Sequence, residues 1–536
     1  MPTDRVQLYD TTLRDGSQME GISLSVEDKI RITRKLDELG IEWIEGGFPG
    51  SNPKDAEYFR RLKSVDLKNA RVSAFGGTRK PGATCETDAN IQSMVAAETP
   101  GITLVGKASM YQVNSVLETS PEENLAMIGD TVKYFKGLGK TVYFDAEHFF
   151  DGFYADPDYS LQCLATAARA GVDCLVLCDT NGGMITSTML KAIDAVQQRT
   201  PDVRLGIHCH NDTGCAVANT LAAVEKGVWQ VQGCVNGYGE RCGNADILTV
   251  LANLKIKMGL EVVEDEQLAR LAEVSNYVSE LANLVPDLQA PYVGGSAFAH
   301  KAGYHVAGVM KDPNAYQHIE PEIVGNRGRV LVSELSGQRN LQMKLEELGI
   351  DYPFSQQEIR SLLDSVKEKE NTGYQFEGAE ASFELLVRRT MPGYKPPWDL
   401  DDFVIMERRR PGESGGPGDL QAEAVVKVRV NGQLQHTAAE GNGPVNALDA
   451  AARKALTVSY PALENVKLVD YKVRILDSRA ATGAGVRVLI ESTDGNRYWT
   501  TVGASTDIIE ASWLALADAL EYALIPNEEA MAAVAK

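Results

Sequence analysis

Two of the seven histidines in this chain stand one residue apart, as His208 and His210 in the segment RLGIHCH. The segment has the composition of a short β-strand, in which alternate side chains share a face, so both imidazoles should point the same way. Such a pair can bind a metal ion together with oxygen ligands. Two polar core residues would be the alternative, but acidic residues after the first predicted strand favour a metal site.

A carboxylate and an amide can complete this set of ligands. Asp15 lies in YDTTLRDGSQ, after the first predicted strand, and Asn244 ends the glycine-rich segment NGYGERCGN after the last one. Mixed nitrogen and oxygen donors suit an octahedral Mg²⁺ or Mn²⁺ with open positions better than a closed structural Zn²⁺. Arg14, next to Asp15, could stabilise an oxyanion on a bound substrate. It could also form an ion pair with Glu45 or Asp10.

The elements that must position these residues form a regular alternation. Eight short β-rich runs alternate with amphipathic helical segments, the first of which is bounded by Ser25 as N-cap and Gly40 after its end. Eight such units in about 250 residues predict an α/β fold, a (β/α)8 TIM barrel. A doubly wound sheet is less consistent, since no Gly-x-Gly-x-x-Gly follows the first run. The predicted strands are 6–10, 41–47, 72–77, 102–108, 141–148, 172–180, 204–210 and 229–235.

Polar side chains follow most of these strands, at the carboxyl ends where the catalytic residues of such barrels lie. Their number favours an active site at that face over a purely structural barrel. Besides the residues above, they include Gln18, Asp145, Glu147, His148, Asp179, Thr180, Asn181, Glu240 and Arg241.

The composition limits the classes of partner and the compartment. The net charge is 53 − 74 = −21, which disfavours nucleic acid and anionic membranes but not a small anionic substrate. The segment MPTDRVQLYD lacks the apolar core of a signal peptide, and no apolar run approaches the length of a membrane span, so we expect a cytoplasmic protein. The eight cysteines form no Cys-x-x-Cys pair and are expected to be free thiols.

Three regions follow from the changes in pattern. We expect a catalytic barrel with the metal site over 1–265, helical linker subdomains over 266–395 and an α+β regulatory domain over 396–536. The last region contains an internal repeat, because each half has a β-meander followed by a helix with small residues on one face. The proline- and glycine-rich segment 408–420 is predicted to be a mobile loop.

Four separated motifs resemble the signature segments of the 2-isopropylmalate, homocitrate and citramalate synthases. They are DTTLRDGSQ, IEGGFP, HCHNDTG and NGYGERCGN, in the family's order. The resemblance covers nearly the whole chain, and the C-terminal repeat is similar to the family's effector-binding dimer domain. It implies a metal-dependent acyltransferase that uses acetyl-CoA as co-substrate and a 2-oxo acid. The implied metal ligands are Asp15, His208, His210 and Asn244.

The resemblance also assigns roles around the metal. Arg14 would hold the keto oxygen of the 2-oxo acid as negative charge develops on it. Thr180 matches the threonine that contacts the oxo-acid carboxylate. Glu147 matches the family's active-site glutamate, although the spacing in YFDAEH leaves Asp145 as a rival.

The segment SAFAHKAGYHVAGVMKDPNAY resembles the part of these enzymes that closes over the active site of a partner subunit. A homodimer is therefore expected. His305 and Tyr316 align with a catalytic histidine and tyrosine, and His300 is the second choice for the histidine. Asn314 is expected to line the acetyl-CoA site.

The identity of the 2-oxo acid depends on the lining of the pocket, where one methylene is worth only about 1–3 kcal/mol. Tyr143 and Leu104 are expected to narrow the pocket for pyruvate. The segment 296–340 also resembles a citramalate synthase branch, which implies (R)-citramalate as product and isoleucine as effector. The alternatives are a 2-isopropylmalate synthase, which uses 2-oxoisovalerate, and an amino-acid sensor without activity.

Overall fold

The computed structural model describes two compact units. One comprises Met1–Phe298 and Ile319–Gly328, and the other comprises Ala299–His318 and Arg329–Lys536. No helix among the described residues is long and apolar enough to cross a membrane. The described residues are 5–300, 305, 308–309, 311–312, 315–330, 338–350, 352–411, 417–476, 484–495 and 497–525.

The first unit contains a closed barrel of eight parallel strands in sequential order. The last strand pairs with the first, with Gln7 opposite Gln230 and Asp10 opposite Gly233. All eight predicted strands are present, which confirms the predicted TIM barrel. The strands are β1 (Gln7–Asp10), β2 (Trp43–Gly47), β3 (Arg71–Gly77), β4 (Gly101–Lys107), β5 (Thr141–Glu147), β6 (Cys174–Asp179), β7 (Arg204–Cys209) and β8 (Gln230–Gly233).

Helices surround the barrel. The first of them has clear sequence signals at both of its ends. Ser25 and Asp28 form a capping box at its start, and Gly40 adopts φ 90° at its end, where an L-residue would be strained. Its predicted bounds are confirmed. The helices are α1 (Val26–Leu39), α2 (Pro53–Leu62), α3 (Ala89–Ala96), α4 (Met110–Ser115), α5 (Pro121–Gly137), α6 (Phe149–Ala155), α7 (Pro157–Arg169), α8 (Thr186–Arg199), α9 (Ala216–Glu225), α10 (Ile247–Ala252), α11 (Asp265–Leu268) and α12 (Leu271–Leu281).

The strands separate two cores. Between strands and helices lies a large apolar layer that includes Leu104 and Phe144. Inside the barrel lies a small, mainly aromatic cluster, in which the ring centroids of Trp43 and Tyr143 are 5.3 Å apart. All eight cysteines are free and six are buried, which confirms the expectation for the thiols.

The second unit begins with a short parallel pair of strands and continues with helices and two three-stranded sheets. The region 266–395, predicted to consist of helical linker subdomains, therefore also contains one pair of two-residue strands. The elements are β9 (Ala299–His300), β10 (Arg329–Val330), α13 (Gln338–Glu347), α14 (Gln356–Asn371), α15 (Glu380–Thr390), β11 (Trp398–Pro411), β12 (Pro417–Val430), β13 (Gln433–Gly441), α16 (Pro444–Leu456), β14 (Lys467–Ile475), β15 (Val486–Thr493), β16 (Tyr498–Ser505) and α17 (Ile508–Ala523).

The internal repeat is confirmed, and each half is a three-stranded antiparallel meander followed by a helix. The helices bury alanines against the sheets; a Cβ at Gly503 of β16 would lie only 2.0 Å from the Ala511 carbonyl oxygen of α17. The predicted loop at 408–420 was too long, because β11 and β12 pair as far as Pro411 and Pro417. Residues 412–416 lie outside the described part of the chain.

A buried ion pair braces the turn after β2, next to the site described below. The Lys29 ammonium on α1 pairs with the Asp55 carboxylate on α2 and donates to the Gly46 carbonyl oxygen at 3.2 Å. The second Asp55 oxygen accepts from the Phe48 amide at 2.9 Å. Burial lowers the pKa of Lys29 although the Asp55 carboxylate opposes this. The packing of α1 and α2 therefore keeps the Lys29 ammonium and the Asp55 carboxylate together, although burial alone would favour a neutral lysine.

Replacing this cation should destabilise the barrel. We expect Lys29→Met to lower the free energy of unfolding by about 3 kcal/mol, because the Asp55 carboxylate would remain buried without its partner. The matched control is Lys35→Met on the same helix, whose partner Glu273 has a side chain that is 52% exposed, and which should cost less than about 1 kcal/mol. Urea denaturation followed by circular dichroism measures both, and equal losses would contradict the assignment.

Candidate active site

Three predicted metal ligands converge at the carboxyl end of the barrel. Asp15 lies just beyond β1, His208 lies near the end of β7 and His210 follows that strand. Asp15 Oδ2 is 3.1 Å from His208 Nε2 and 3.7 Å from His210 Nε2. The two Nε2 atoms are 3.4 Å apart, and all three side chains are buried. The structure thus brings together one carboxylate and two imidazoles, each with a ligand atom directed at the same point.

Asn244, the fourth predicted ligand, neighbours His210. A backbone bridge pairs it with His210, and its Nδ2 donates to the Tyr238 carbonyl oxygen at 2.9 Å. Its Oδ1 is buried and has no hydrogen-bond partner in the described part of the chain, an arrangement that is costly unless a ligand satisfies the atom. Gly243 permits this loop, since at φ 80° a Cβ would lie 2.0 Å from the Gly237 carbonyl oxygen. Two imidazoles, a carboxylate and an amide oxygen fit a divalent cation.

The protonation states of Asp15 and His210 suit metal binding. Burial would lower the pKa of His208, but its hydrogen bond with Asp15 outweighs burial and raises it, so a bound metal would displace a proton from His208. Burial would raise the pKa of Asp15, but the Arg14 guanidinium and the hydrogen bond with His208 outweigh it and hold the pKa well below its usual range. Burial, followed by the charge of His208, lowers the pKa of His210 to about 4. At neutral pH the carboxylate is therefore ionised and His210 is neutral, as ligands must be.

Arg14 is fixed beside the ligands by two contacts. Its Nε is 2.5 Å from Glu45 Oε2, and its guanidinium carbon lies 3.9 Å from the centroid of the Phe75 ring. Its Nη1 is 3.6 Å from Asp15 Oδ2. Arg14 thus forms the ion pair with Glu45 that was predicted as an alternative, and it also lies next to Asp15 as the first prediction required. The Asp10 carboxylate, the other predicted partner of Arg14, instead accepts two hydrogen bonds from Thr12.

A cavity of about 500 Å³ opens above these residues. It contains the polar strand ends that the sequence singled out. Burial, followed by the charge of Glu45, raises the pKa of Asp145 to about 7. The Glu147 carboxylate pairs with the Lys107 ammonium, and Thr180 Oγ1 accepts from the His148 amide at 2.8 Å. The predicted residues that line the cavity are Arg14, Asp15, Gln18, Asp145, Glu147, Thr180, His208, His210, Glu240 and Arg241.

Two predicted pocket residues lie elsewhere, which corrects the expectation for them. Leu104 packs in the outer apolar layer between strands and helices, because its side chain alternates with the inward-facing Thr103. Tyr143 faces the barrel interior but lies below the cavity, where its hydroxyl donates to Gln7 Oε1 at 3.1 Å. The residues of β4 and β5 that do line the cavity are Val105, Gly106, Lys107, Asp145 and Glu147.

Sequence reasoning missed several residues of the site. Arg79 and Lys80 follow β3 and line the cavity, and the rule that selected the other strand ends would have found them. Arg79 is held by Glu123 at 2.7 Å and by Asp130 at 2.8 Å. Gln232 lies within β8 and contacts His208. No sequence signal distinguishes such an amide from an ordinary core residue.

The remaining candidates belong to the second unit. The rings of His305 and Tyr316 lie with their centroids 4.6 Å apart and their planes inclined by 31°. His300 Nε2 is 3.3 Å from the Gln317 side-chain nitrogen. The structure thus brings His305 and Tyr316 together on an exposed surface of that unit. Asn314 lies outside the described residues.

Family profiles match three successive parts of the chain. The HMGL-like profile matches residues 5–278, the profile described as homocitrate synthase post-HMGL domain-like matches 292–373, and the LeuA allosteric (dimerisation) domain matches 377–524. The first match covers the barrel and its predicted metal ligands. The chain belongs to the HMGL-like family.

Relatives of full length narrow this classification. An (R)-citramalate synthase of Aquifex aeolicus is 48% identical over 98% of this chain and 99% of its own length. An (R)-citramalate synthase of Geobacter sulfurreducens is 49% identical over 98% of both chains. A 2-isopropylmalate synthase of Methanocaldococcus jannaschii is 30% identical over 98% of this chain and 96% of its own. Within the family, the chain therefore groups with the (R)-citramalate synthases.

The metal site can be tested without an assay of activity. We expect His210→Ala to weaken Mn²⁺ binding by more than about 100-fold, since even the loss of a residue behind a ligand costs about 10–100-fold. His436→Ala, at an exposed position of β13, is the matched control and should bind as the parent does. Isothermal titration calorimetry after removal of metal measures the affinity, with circular dichroism as the check on folding. Parent-like binding by His210→Ala would exclude this ligand set.

Proposed function

We propose that the chain condenses acetyl-CoA with pyruvate to give (R)-citramalate and CoA. The acetyl methyl group loses a proton, a carbon–carbon bond forms to the keto carbon, and water cleaves the thioester to release CoA. The observation that carries this proposal is the set of Asp15, His208 and His210 on the floor of a cavity, with Arg14 beside it. The names of the relatives at 48–49% identity favour pyruvate over the 2-oxoisovalerate of the more distant 2-isopropylmalate synthases.

The residues present would hold Mg²⁺ or Mn²⁺ rather than Zn²⁺. Asp15, His208, His210 and Asn244 supply two nitrogen and two oxygen donors, and such mixed sets suit octahedral ions with open positions. When bound, the cation supplies Lewis-acid polarisation of the keto group of the oxo acid. The remaining catalytic tasks fall to side chains of the protein.

Arg14 stabilises the negative charge that develops on the keto oxygen. Its guanidinium is fixed by Glu45 and Phe75 before substrate enters, so it needs no reorganisation when the charge forms. Preorganised donors of this kind contribute about 10²–10³-fold to turnover. The Glu45 and Asp15 carboxylates raise the pKa of Arg14 although its burial opposes this, so the charge is retained.

Thr180, Asp145 and Glu147 complete the barrel's share of the site. The Thr180 hydroxyl oxygen already accepts from a backbone amide, so its hydrogen is available to donate to the carboxylate of the oxo acid. The raised pKa of Asp145 keeps much of this carboxyl protonated near neutral pH, which limits its repulsion of an anionic substrate. The Glu147 carboxylate, held by Lys107, serves as the family's active-site glutamate.

The acid–base groups that act on acetyl-CoA come from the second unit of a partner subunit. His305 and Tyr316, which already contact one another, are proposed as the catalytic pair, with His300 and Asn314 as substrate-binding residues. The match to a LeuA allosteric (dimerisation) domain supports a homodimer whose C-terminal repeat binds isoleucine as an inhibitor. An effector that acts from a separate domain must bias two states of the assembly.

The proposed substrate is tested with a panel of 2-oxo acids. Purified protein is incubated with acetyl-CoA, Mg²⁺ or Mn²⁺ and one oxo acid at a time, and free CoA thiol is followed with a thiol reagent. We expect release with pyruvate at least about 10-fold faster than with 2-oxoisovalerate, because one or two methylene groups change binding by about 1–3 kcal/mol each. Isoleucine should inhibit the reaction.

Each other result has a distinct meaning. Faster release with 2-oxoisovalerate would favour a 2-isopropylmalate synthase. No release with any oxo acid, in protein that binds Mn²⁺, would favour the inactive amino-acid sensor.

Sharing of the active site between subunits predicts complementation. Asp15→Asn and His305→Gln should each be inactive alone, whereas co-expressed chains should regain about a quarter of the parent's turnover. Half of randomly paired dimers are hybrids, and each hybrid has one intact site. Asp15→Asn co-expressed with His210→Ala is the matched control and should remain inactive, because both changes affect the barrel. No recovery in the first pair would contradict a site shared across the dimer.

A further inference from the structure

Three buried glutamines form a polar column inside the barrel, beneath the metal ligands. Gln7 lies on β1, and Gln230 and Gln232 lie on β8, with 6%, 0% and 0% of their surface exposed. Burial of an amide is unfavourable unless its hydrogen bonds are satisfied. A leucine or valine would fill such positions with a smaller free-energy cost of burial. Packing alone therefore does not account for three glutamines here.

The orientation of the column is set at its lower end, at Gln7. The Tyr143 hydroxyl donates to Gln7 Oε1 at 3.1 Å, and Gln230 Nε2 donates to the same oxygen at 2.8 Å. Gln230 therefore presents its own Oε1 upward, where Gln232 Nε2 donates to it at 3.3 Å. Each amide in this series determines the orientation of the next.

Gln232 is oriented from a second side as well. Its Nε2 also donates to Asp145 Oδ1 at 3.2 Å, so both amide hydrogens have acceptors. A flipped amide would place its oxygen against the oxygens of Asp145 and Gln230. The unflipped amide places Oε1 at 2.9 Å from His208 Nδ1. Because an amide oxygen can only accept, His208 must carry its proton on Nδ1.

We propose that Gln232 is a positioning residue for the metal centre, which fixes the tautomer and ring orientation of His208. With the proton on Nδ1, Nε2 is the nitrogen available to a metal, and it faces Asp15 and His210. Ligating histidines commonly depend on such a partner behind the ring. The inference rests on the metal site of the proposed function but concerns affinity for the ion rather than the choice of substrate.

The test compares the binding of Mn²⁺ by full-length variants after removal of metal, using calorimetry. Gln232→Met retains the volume but cannot accept the hydrogen bond, and we expect its Kd to rise by about 10–100-fold. Gln232→Glu restores an acceptor for His208 and should bind more tightly than Gln232→Met, since a carboxylate is a common partner of a ligating histidine, although its second oxygen meets those of Asp145 and Gln230. If Gln232→Met does not fold, Gln232→Asn carries the same expectation, because its amide is one methylene too short to reach the ring.

Gln7→Met is the matched control, because it breaks the same column without touching His208. We expect it to lower thermal stability while its Kd for Mn²⁺ stays within about twofold of the parent's, because the hydrogen bond from Gln232 Nε2 to Asp145 Oδ1 still orients Gln232. Parent-like affinity in Gln232→Met, or equal weakening by Gln7→Met, would overturn the positioning role. Failure of the parent itself to bind Mn²⁺ would instead overturn the metal site and, with it, the proposed function.

Discussion

The site depends on charged groups that are removed from water and must satisfy one another. Arg14 lies between the carboxylates of Glu45 and Asp15, and the three side chains are largely buried. Removing one member of such a group leaves an uncompensated charge and costs about 3–5 kcal/mol. The orientation of Arg14 is thus linked to that of a metal ligand. If either Arg14 or Asp15 moved away, the other would be left as a buried charge without its partner.

Closure of the barrel is what makes this arrangement possible. β1 pairs with β2 on one side and with β8 on the other, and β8 pairs with β7. Pairing with β2 places Glu45 beside Arg14. Pairing with β8, and through it with β7, places Gln232 and the two histidines beside Asp15. The central strand of the site is therefore the first strand of the chain. The site cannot form until the eighth strand has closed on it.

The sequence predicted the strands, the first helix and the ligand set for one reason. Side chains alternate between the two faces of a strand, and the carboxyl ends of parallel strands lie at one edge of the barrel. Both properties can be read from the local sequence, and together they limit which residues can come into contact. His208 and His210 were found because their spacing has the period of a strand. Leu104 and Tyr143 were misplaced because facing the cavity also requires the correct face and depth, and depth depends on the stagger of neighbouring strands. Gln232 was missed because its role depends entirely on partners from other strands.

The depth of Tyr143 has a consequence for how the enzyme selects a small oxo acid. Its hydroxyl supports the polar column rather than the substrate, so Tyr143 does not shape the part of the cavity that a substrate would contact. The cavity of about 500 Å³ has room for far more than a three-carbon acid, and its overall volume therefore cannot reject a longer one. Discrimination worth about 1–3 kcal/mol per methylene requires close contact. That contact must come from side chains that flank the metal ligands at the same level as Asp145, where the strands end and the loops begin.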